Sequence, residues 1–521
     1  MEVSDQYSSS HHPLCSPDNA HIATLNGGRL QIRSTNSLEV IHNFVVPQDG
    51  NSRFLCLRWS PKTKDRPSSN RILVADEDNV RVWDLRDRKW NGTINNGSAG
   101  MGKVVNADFG RTETEVVVFS DFASKVTVWS LSHGRTVEIK DPKFVTARGY
   151  GYRPKTSEFT VLSRPNAQDT VTLHAPQTYF VIKTITLNTV DAQGMKWSPD
   201  GKWLAVWDTP SVGHRVYIYT ADGHLYRMYG GAPEGDLEGL GARSVDWSPR
   251  GDYLAISGYD KRVTLLNART FSPVIVLEHT TSIQLSNGGV WQEQVSPSGE
   301  RSYIEVAQPI APPAAPSPPN DALAKLGISI TTFNADGTLV ATRDENTPTT
   351  VWIWDLSNLA PRAVIIQHSP IKQLLWNPSD PSILMIQNTH EDPAVHLWRS
   401  TGGGPEALNI KFKRSVGKVE ARWLSTPRDR KPALIYGDAH GHVLAWPIGR
   451  DVILRFSRPE TPNGADDSED SLFDILTGRT PVPALTTTDG FTQGEDFDDS
   501  GPLDDTFRYR KQQSEMDESF F

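Results

Sequence analysis

"MKWSPDGKWLAVWD" (Met195–Asp208), followed by "RVYIYTADG" (Arg215–Gly223), decides the fold. Apolar and polar residues alternate on either side of a Ser-Pro-Asp-Gly turn. Period-two alternation sends successive side chains to opposite faces of a strand. Pro presets one turn dihedral and Gly supplies a positive one. The stretch therefore reads as strand, tight turn, strand, loop, strand. Fifty residues on, "VDWSPRGDYLAISGYDKRVTLLN" (Val245–Asn267) repeats the same order.

Copies of this unit begin near Cys15, Trp59, Ala107, Tyr150, Trp197, Trp247, Phe333, Trp376 and Trp423. The last alternating strand of each unit is the best ruler. It falls at "LQIR" (Ile32), "VRVWD" (Trp83), "VTVWS" (Trp129), "VTLHA" (Leu173), "VYIYT" (Ile218) and "VTLLN" (Leu265). It recurs at "VWIWD" (Trp354), "VHLWR" (Trp398) and "VLAWP" (Trp446). A period of about 45 residues is that of a WD-repeat blade. A four-stranded sheet cannot bury both faces alone, so such sheets stack radially around a channel. The expected fold is an all-β WD-repeat β-propeller. Nine units are visible; allowing for a degenerate one, seven to nine blades are expected. The residues expected to build the blades are Trp83, Asp84, Trp129, Trp197, Trp207, Asp208, Trp247, Trp352, Trp354, Asp355, Trp398 and Trp446.

Composition sets the domain plan. Apolar residues are 37% of the 521, with 39 Gly and 36 Pro, a balance that suits short strands joined by turns. Residues 459–521 hold 16 acids against four bases, while the preceding 458 hold 46 acids and 49 bases. A near-neutral body thus carries a strongly acidic segment that cannot bury enough apolar surface to fold. The expected organisation is an N-terminal arm over 1–14, a propeller over 15–457 with a Pro-rich insertion near 280–325, and a disordered acidic tail over 458–521. Within the tail, "SLFDIL" (Ser471–Leu476) and "MDESFF" (Met516–Phe521) alternate acidic and apolar residues, a pattern that suits docking on a partner. The start "MEVSDQYSSSHH" does not read as a secretory signal, and no run approaches the roughly 20 apolar residues that span a bilayer. With only two cysteines, Cys15 and Cys56, an intracellular chain with reduced thiols and no membrane association is expected.

"GSAGMGKV" (Gly97–Val104) resembles a phosphate-binding loop but ends on Val104, where a magnesium-binding hydroxyl belongs. Polar, turn-rich residues precede it and a β-branched alternating run follows, so it reads as an inter-blade turn. No Gly-x-Ser-x-Gly elbow occurs, and scattered histidines with two distant cysteines do not make a zinc site. No catalytic residue, metal or cofactor is therefore expected. Bases cluster from Lys411 to Lys431 and suit an acidic partner. The near-neutral body argues against nucleic acid. The insertion "QPIAPPAAPSPPNDALA" (Gln308–Ala324) should be extended and polyproline-like, with Pro313-x-x-Pro316 able to meet an aromatic groove.

Three stretches carry a closer likeness: "GSAG" (Gly97–Gly100), "LAVWDTP" (Leu204–Pro210) and "TRDENTPTTVWIWDL" (Thr342–Leu356). Together with the order and spacing of "GARSVDWSPRGDYLAISGYDKRVTLLN", they resemble the WD-repeat protein eight family of centrosomes and spindle pole bodies. The likeness runs from about residue 10 to 450; the acidic tail and the Pro-rich insertion fall outside it. The resemblance implies a non-enzymatic adaptor in the cytoplasm and cytoskeleton, at the microtubule-organising centre. It implies binding to a coiled-coil microtubule-anchoring protein, and work with a minus-end-directed kinesin in anchoring minus ends and assembling the spindle. A generic WD-repeat scaffold for ubiquitin ligation or trafficking is the alternative. The polar loop Arg343, Asp344, Glu345, Asn346 is the expected partner contact, because loops on rigid scaffolds carry binding residues. Asp344 and Asn346 could equally hydrogen-bond their own backbone to shape the turn.

Overall fold

The computed structural model describes residues 1–450 except 48–52, 64–66, 96–101, 122–124, 232–239, 316–325, 390–393, 414–417, 425 and 427–429. The segment 458–521, with its two acidic-apolar clusters, lies outside the described residues, as do Gly97–Gly100 and much of the basic stretch.

Nine antiparallel-based sheets follow one another along the chain. Blades 1 to 6 cover residues 14–45, 54–95, 104–140, 150–186, 194–229 and 242–278; blades 7 and 8 cover 328–366 and 371–408. Blade 9 is built from Glu420–Leu424, Ala433–Gly437 and Gly441–Trp446. First strands of neighbouring blades lie closest together, which places them around the axis. The strand used as the ruler is the third of four, not the last. A fourth follows it, as Leu225–Tyr229 follows Val216–Thr220 in blade 5. Outer strands alternate poorly because one edge meets water.

Nine apolar clusters sit at the nine junctions between blades, and the ring is closed. Ala205 and Trp207 of blade 5, for example, bury against Val245 and Leu254 of blade 6. The last junction joins Leu424, Ile435 and Leu444 of blade 9 to Ile22 of blade 1. All nine units are therefore blades of a single ring. The tryptophan ending several first strands also ties its blade to the one before. Trp59 Nε1 donates to Leu14 O at 2.9 Å, Trp247 to Lys196 O at 3.2 Å, Trp376 to Thr332 O at 3.0 Å and Trp423 to Leu375 O at 2.9 Å.

Residues 1–14 help to complete the ring. Glu2–Val3 and Tyr7–Ser8 pair antiparallel with Gly441–Trp446, Glu2 opposite Trp446 and Tyr7 opposite His442, and so supply the missing outer strand of blade 9. The seam thus joins residues more than 400 positions apart, through Leu444 N–H to Ser4 Oγ at 3.0 Å among others.

Blade 7 is larger than its neighbours. Gly289–Val295 and Arg301–Glu305 form a hairpin, and Gly289–Val295 lies parallel to the blade's fourth strand, Ala360–Ile366, giving six strands. Only from Gln308 onward does the insertion carry the expected proline-rich character, and there Ile310 bridges back to Ile283. The hairpin is fastened by a buried carboxylate. Glu293, fully buried, accepts from Arg301 Nη1 at 2.8 Å and from His368 N–H at 2.7 Å, with His396 Nε2 of blade 8 at 3.6 Å.

Candidate functional site

In an antiparallel blade the loop between strands two and three and the link to the next blade emerge at the same end. The loop after Leu339–Asp344 therefore shares a ring face with the links that enter and leave blade 7. Asp344 is buried, and its Oδ1 accepts from Asn346 N–H at 3.1 Å and from Asn346 Nδ2 at 2.8 Å. That is an Asx turn, which replaces backbone pairing with a side-chain acceptor.

The flanking charges reach outward to other parts of the ring. Glu345 receives both guanidinium nitrogens of Arg243, from the first strand of blade 6, at 2.6 and 2.8 Å. The two-pronged geometry makes this a strong, oriented pair, and Arg243 holds the Glu345 carboxyl below its ordinary range. Arg343 Nη1 donates to Ile371 O at 2.6 Å, at the start of blade 8. Backbone bonds add Glu345 N–H to Gly327 O at 3.0 Å and Ala315 N–H to Asn346 O at 2.7 Å, tying in the insertion. One loop thus joins blades 6, 7 and 8, with Arg343, Glu345 and Asn346 still partly open to solvent.

Beneath it lies a buried relay of polar groups. Thr342 Oγ1 accepts from Trp354 Nε1 at 2.9 Å and meets His279 Nε2 at 2.8 Å, while His279 Nδ1 lies 3.1 Å from Lys261 O. Burial pushes the His279 pKa down to about 4, partly offset by the nearby Asp344 charge. Bonded donors of this kind stop the core sliding, because an orphaned buried donor costs about 1–3 kcal/mol. Sequence reading missed His279, whose alternation with neighbours is no different from a surface residue's.

The other expected blade residues take several roles. Trp207, Trp352, Trp354, Trp398 and Trp446 are buried, as is Trp83, while Trp129, Trp197 and Trp247 are half-buried. Trp197 Nε1 donates to Thr160 Oγ1 of blade 4 at 2.9 Å. Asp208 accepts from the Val190 and Asp191 N–H groups at 2.8 and 2.7 Å. Asp84 binds Arg71 at 2.9 Å and Arg86 at 2.6 Å, and those hydrogen bonds hold its pKa near 2 against the opposing effect of burial. Asp355 caps its turn through Ser357 N–H at 2.8 Å.

The described end of the glycine-rich loop opens a strand, Val104–Phe109, rather than a helix. Lys103 lies at the surface, paired with Glu77 at 2.6 Å, and its N–H donates to Asp121 at 2.7 Å. Among the described residues no group of three or more His, Cys, Asp or Glu side chains could hold a metal ion.

A closed ring of four-stranded blades with polar loops gathered at its ends is a WD-repeat β-propeller, a class of rigid interaction scaffolds generally without catalysis. The family model described as "WD domain, G-beta repeat" matches residues 235–266. The chain is similar over most of its length to WD repeat-containing protein WRAP73 of Mus musculus. The identity is 27% over 414 residues, covering 75% of this chain and 85% of that one. It is also 26% identical over 442 residues to an uncharacterized WD repeat-containing protein of Schizosaccharomyces pombe, covering 82% of this chain and 88% of the relative. Among solved structures, that of a eukaryotic initiation factor aligns with TM-score 0.49 at 14% identity, covering 78% of this chain and 90% of that one.

Proposed function

We propose that this protein is an adaptor of the microtubule-organising centre. In this reading the ring binds a coiled-coil microtubule-anchoring protein and, directly or through it, works with a minus-end-directed kinesin to anchor minus ends in the spindle. The support is the resemblance carried by Leu204–Pro210 and Thr342–Leu356, together with a similarity to WRAP73 that extends around the ring. The observation that carries a contact site is the loop 343–349. It joins three blades on one face, so a partner seated there meets a surface fixed by its neighbours. Preorganised loops lose little entropy on binding.

The test must separate surface from scaffold, because Arg243 and Glu345 hold each other. Exchanging them, as Arg243→Glu with Glu345→Arg, keeps the ion pair and reverses both charges presented to a partner. The exchanged protein should melt like the parent, lose co-purification with the anchoring protein and leave the spindle poles of dividing cells. A stably folded exchange variant that still reaches the poles with its partner removes this face from the proposal. A tagged parent protein that never visits the poles removes the proposal itself.

A further inference from the structure

Blades 4, 5 and 6 present a rim unlike that of blade 7. In blade 7 the fourth strand is covered by Gly289–Val295, and Ala363 to Ile366 are buried. Among the described residues, the fourth strands of blades 4, 5 and 6, Val181–Thr186, Leu225–Tyr229 and Pro273–Glu278, are the sheet edges. Several of their apolar side chains stand in water: Ile182 is 55% exposed, Tyr226 51% and Met228 48%, with Phe180 at 75% just ahead of the blade 4 strand. Apolar edges left open are an association hazard that proteins normally blunt.

The charges on these three strands are one-sided. Lys183 and Arg227 stand exposed in mid-strand, and the sole carboxylate, Glu278, is held by Arg262 at 2.8 Å. Arg227 is fixed in place by donating to Thr270 O at 2.6 Å, and Tyr226 is braced against Trp203 and Phe271 with ring centroids at 4.7 and 5.8 Å. The surface is therefore ordered before any partner arrives. Self-pairing is opposed: two Leu225–Tyr229 strands meeting antiparallel about their centres would set Arg227 against its own copy, and like charges directly opposite destabilise a sheet.

We infer that this rim, centred on Leu225–Tyr229, takes up an extended segment of another protein by strand addition, a segment that alternates apolar with acidic residues. Backbone pairing to the open edge supplies affinity, and side chains set specificity. Leu225 and Met228 lie opposite Tyr219 and Tyr217 on one face and Arg227 lies opposite Ile218 on the other, so the partner's apolar residues cover Leu225 and Met228 while its carboxylates meet Arg227. Blade 7 shows the geometry within the same molecule. There "GVWQEQV" (Gly289–Val295) lies along the equivalent edge with Val290 fully buried and the Glu293 carboxylate paired to Arg301. The inference concerns the rim alone and does not depend on the loop 343–349 or on the proposed anchoring partner.

A fluorescent peptide of Asp-Val-Glu-Leu repeated three times is the probe, titrated against the purified full chain. Two control peptides carry lysine in place of every acid, or proline at alternate positions. The acidic peptide should bind and both controls should not. Its affinity should fall about fivefold in Arg227→Glu, in the range of an exposed ion pair plus repulsion, and about tenfold in Met228→Asp. Both positions are exposed, so unchanged melting of the variants shows that the loss is local. Hydrogen exchange at Leu225–Tyr229 should slow when the acidic peptide is bound. Equal binding of the lysine or proline peptide, unchanged affinity in both variants, or no binding of the acidic peptide overturns the inference. So does sedimentation of the free chain as a dimer that Met228→Asp dissociates, because the rim's occupant is then a second copy.

Discussion

Blades 5 and 7 begin from the same repeat and end differently. Each sets a strand, a tight turn and an alternating strand in the same order, and each buries tryptophan, Trp207 in one and Trp352 and Trp354 in the other. Blade 5 stops at four strands and leaves Met228 in water, whereas blade 7 gains a hairpin that seals its fourth strand. Blade 7 also gathers polar groups that blade 5 lacks: the His279–Thr342–Trp354 relay, the Glu345–Arg243 pair and the Glu293–Arg301 pair. The difference teaches that the inner strands of a blade answer to ring packing, while its outer edge is free to be closed from within or left open to others.

The comparison breaks most sharply at the fourth strand. Ile365→Asp in blade 7 puts an unpaired charge into the sealed edge and should cost about 4 kcal/mol or more, with most soluble protein lost. Met228→Asp, on the fourth strand of blade 5, should change stability by less than about 0.5 kcal/mol. Denaturant melts of the two variants decide it, and equal losses would mean that blade 5's edge is as covered as blade 7's.

The tryptophans sharpen the contrast next. Alanine at Trp207 or at Trp354 should cost about 3–5 kcal/mol through cavity formation. Phenylalanine separates them. Trp354→Phe also removes the indole N–H that Thr342 Oγ1 accepts from and should cost about 1 kcal/mol more than Trp207→Phe. The Trp207 ring packs so closely over Gly194 that a Cβ there would collide with it, and its indole N–H makes no hydrogen bond among the described residues. An equal cost for the two phenylalanine variants would show that the relay adds no stability.

The buried histidines carry the comparison to pH. His279 and His396 are both held neutral by burial, each with its pKa lowered from 6.5 to about 4. Between those values the unfolded chain binds protons that the folded chain refuses. Their contribution is therefore complete above about pH 6.5 and is lost as pH falls toward about 4, by up to about 1.4 kcal/mol per pH unit for each histidine. Melting of the parent and of His279→Gln across that window tests it. The variant should show the shallower pH dependence, and parallel curves would mean that His279 titrates normally in the ring.

Much of the scaffold was legible from the chain, and the reason is local. Alternation at period two, Ser-Pro-x-Gly turns and tryptophans spaced by about 45 residues are properties of neighbours in sequence. They mark the first three strands of a blade such as blade 5. The fourth strands were harder, because a strand with one edge in water carries a diluted pattern; Leu225–Tyr229 reads as a loop as readily as a strand. The loop Arg343–Asn346 was legible as a special turn, and its Asx geometry could be anticipated from Asp344 and Asn346. That Glu345 belongs to Arg243, 102 positions earlier, could not.

The sequence by itself determined that this is a repeat of small twisted sheets with an acidic segment behind it, because strand periodicity and charge are written residue by residue. Tertiary structure alone decided that nine blades share one ring, that Glu2 meets Trp446 to close it, and that the insertion becomes two strands of blade 7. It also left the rim of blades 4 to 6 open. The physical reason is range. A strand's alternation is set by its own neighbours, whereas its partner is chosen by which distant edge can satisfy its backbone hydrogen bonds and bury its apolar face.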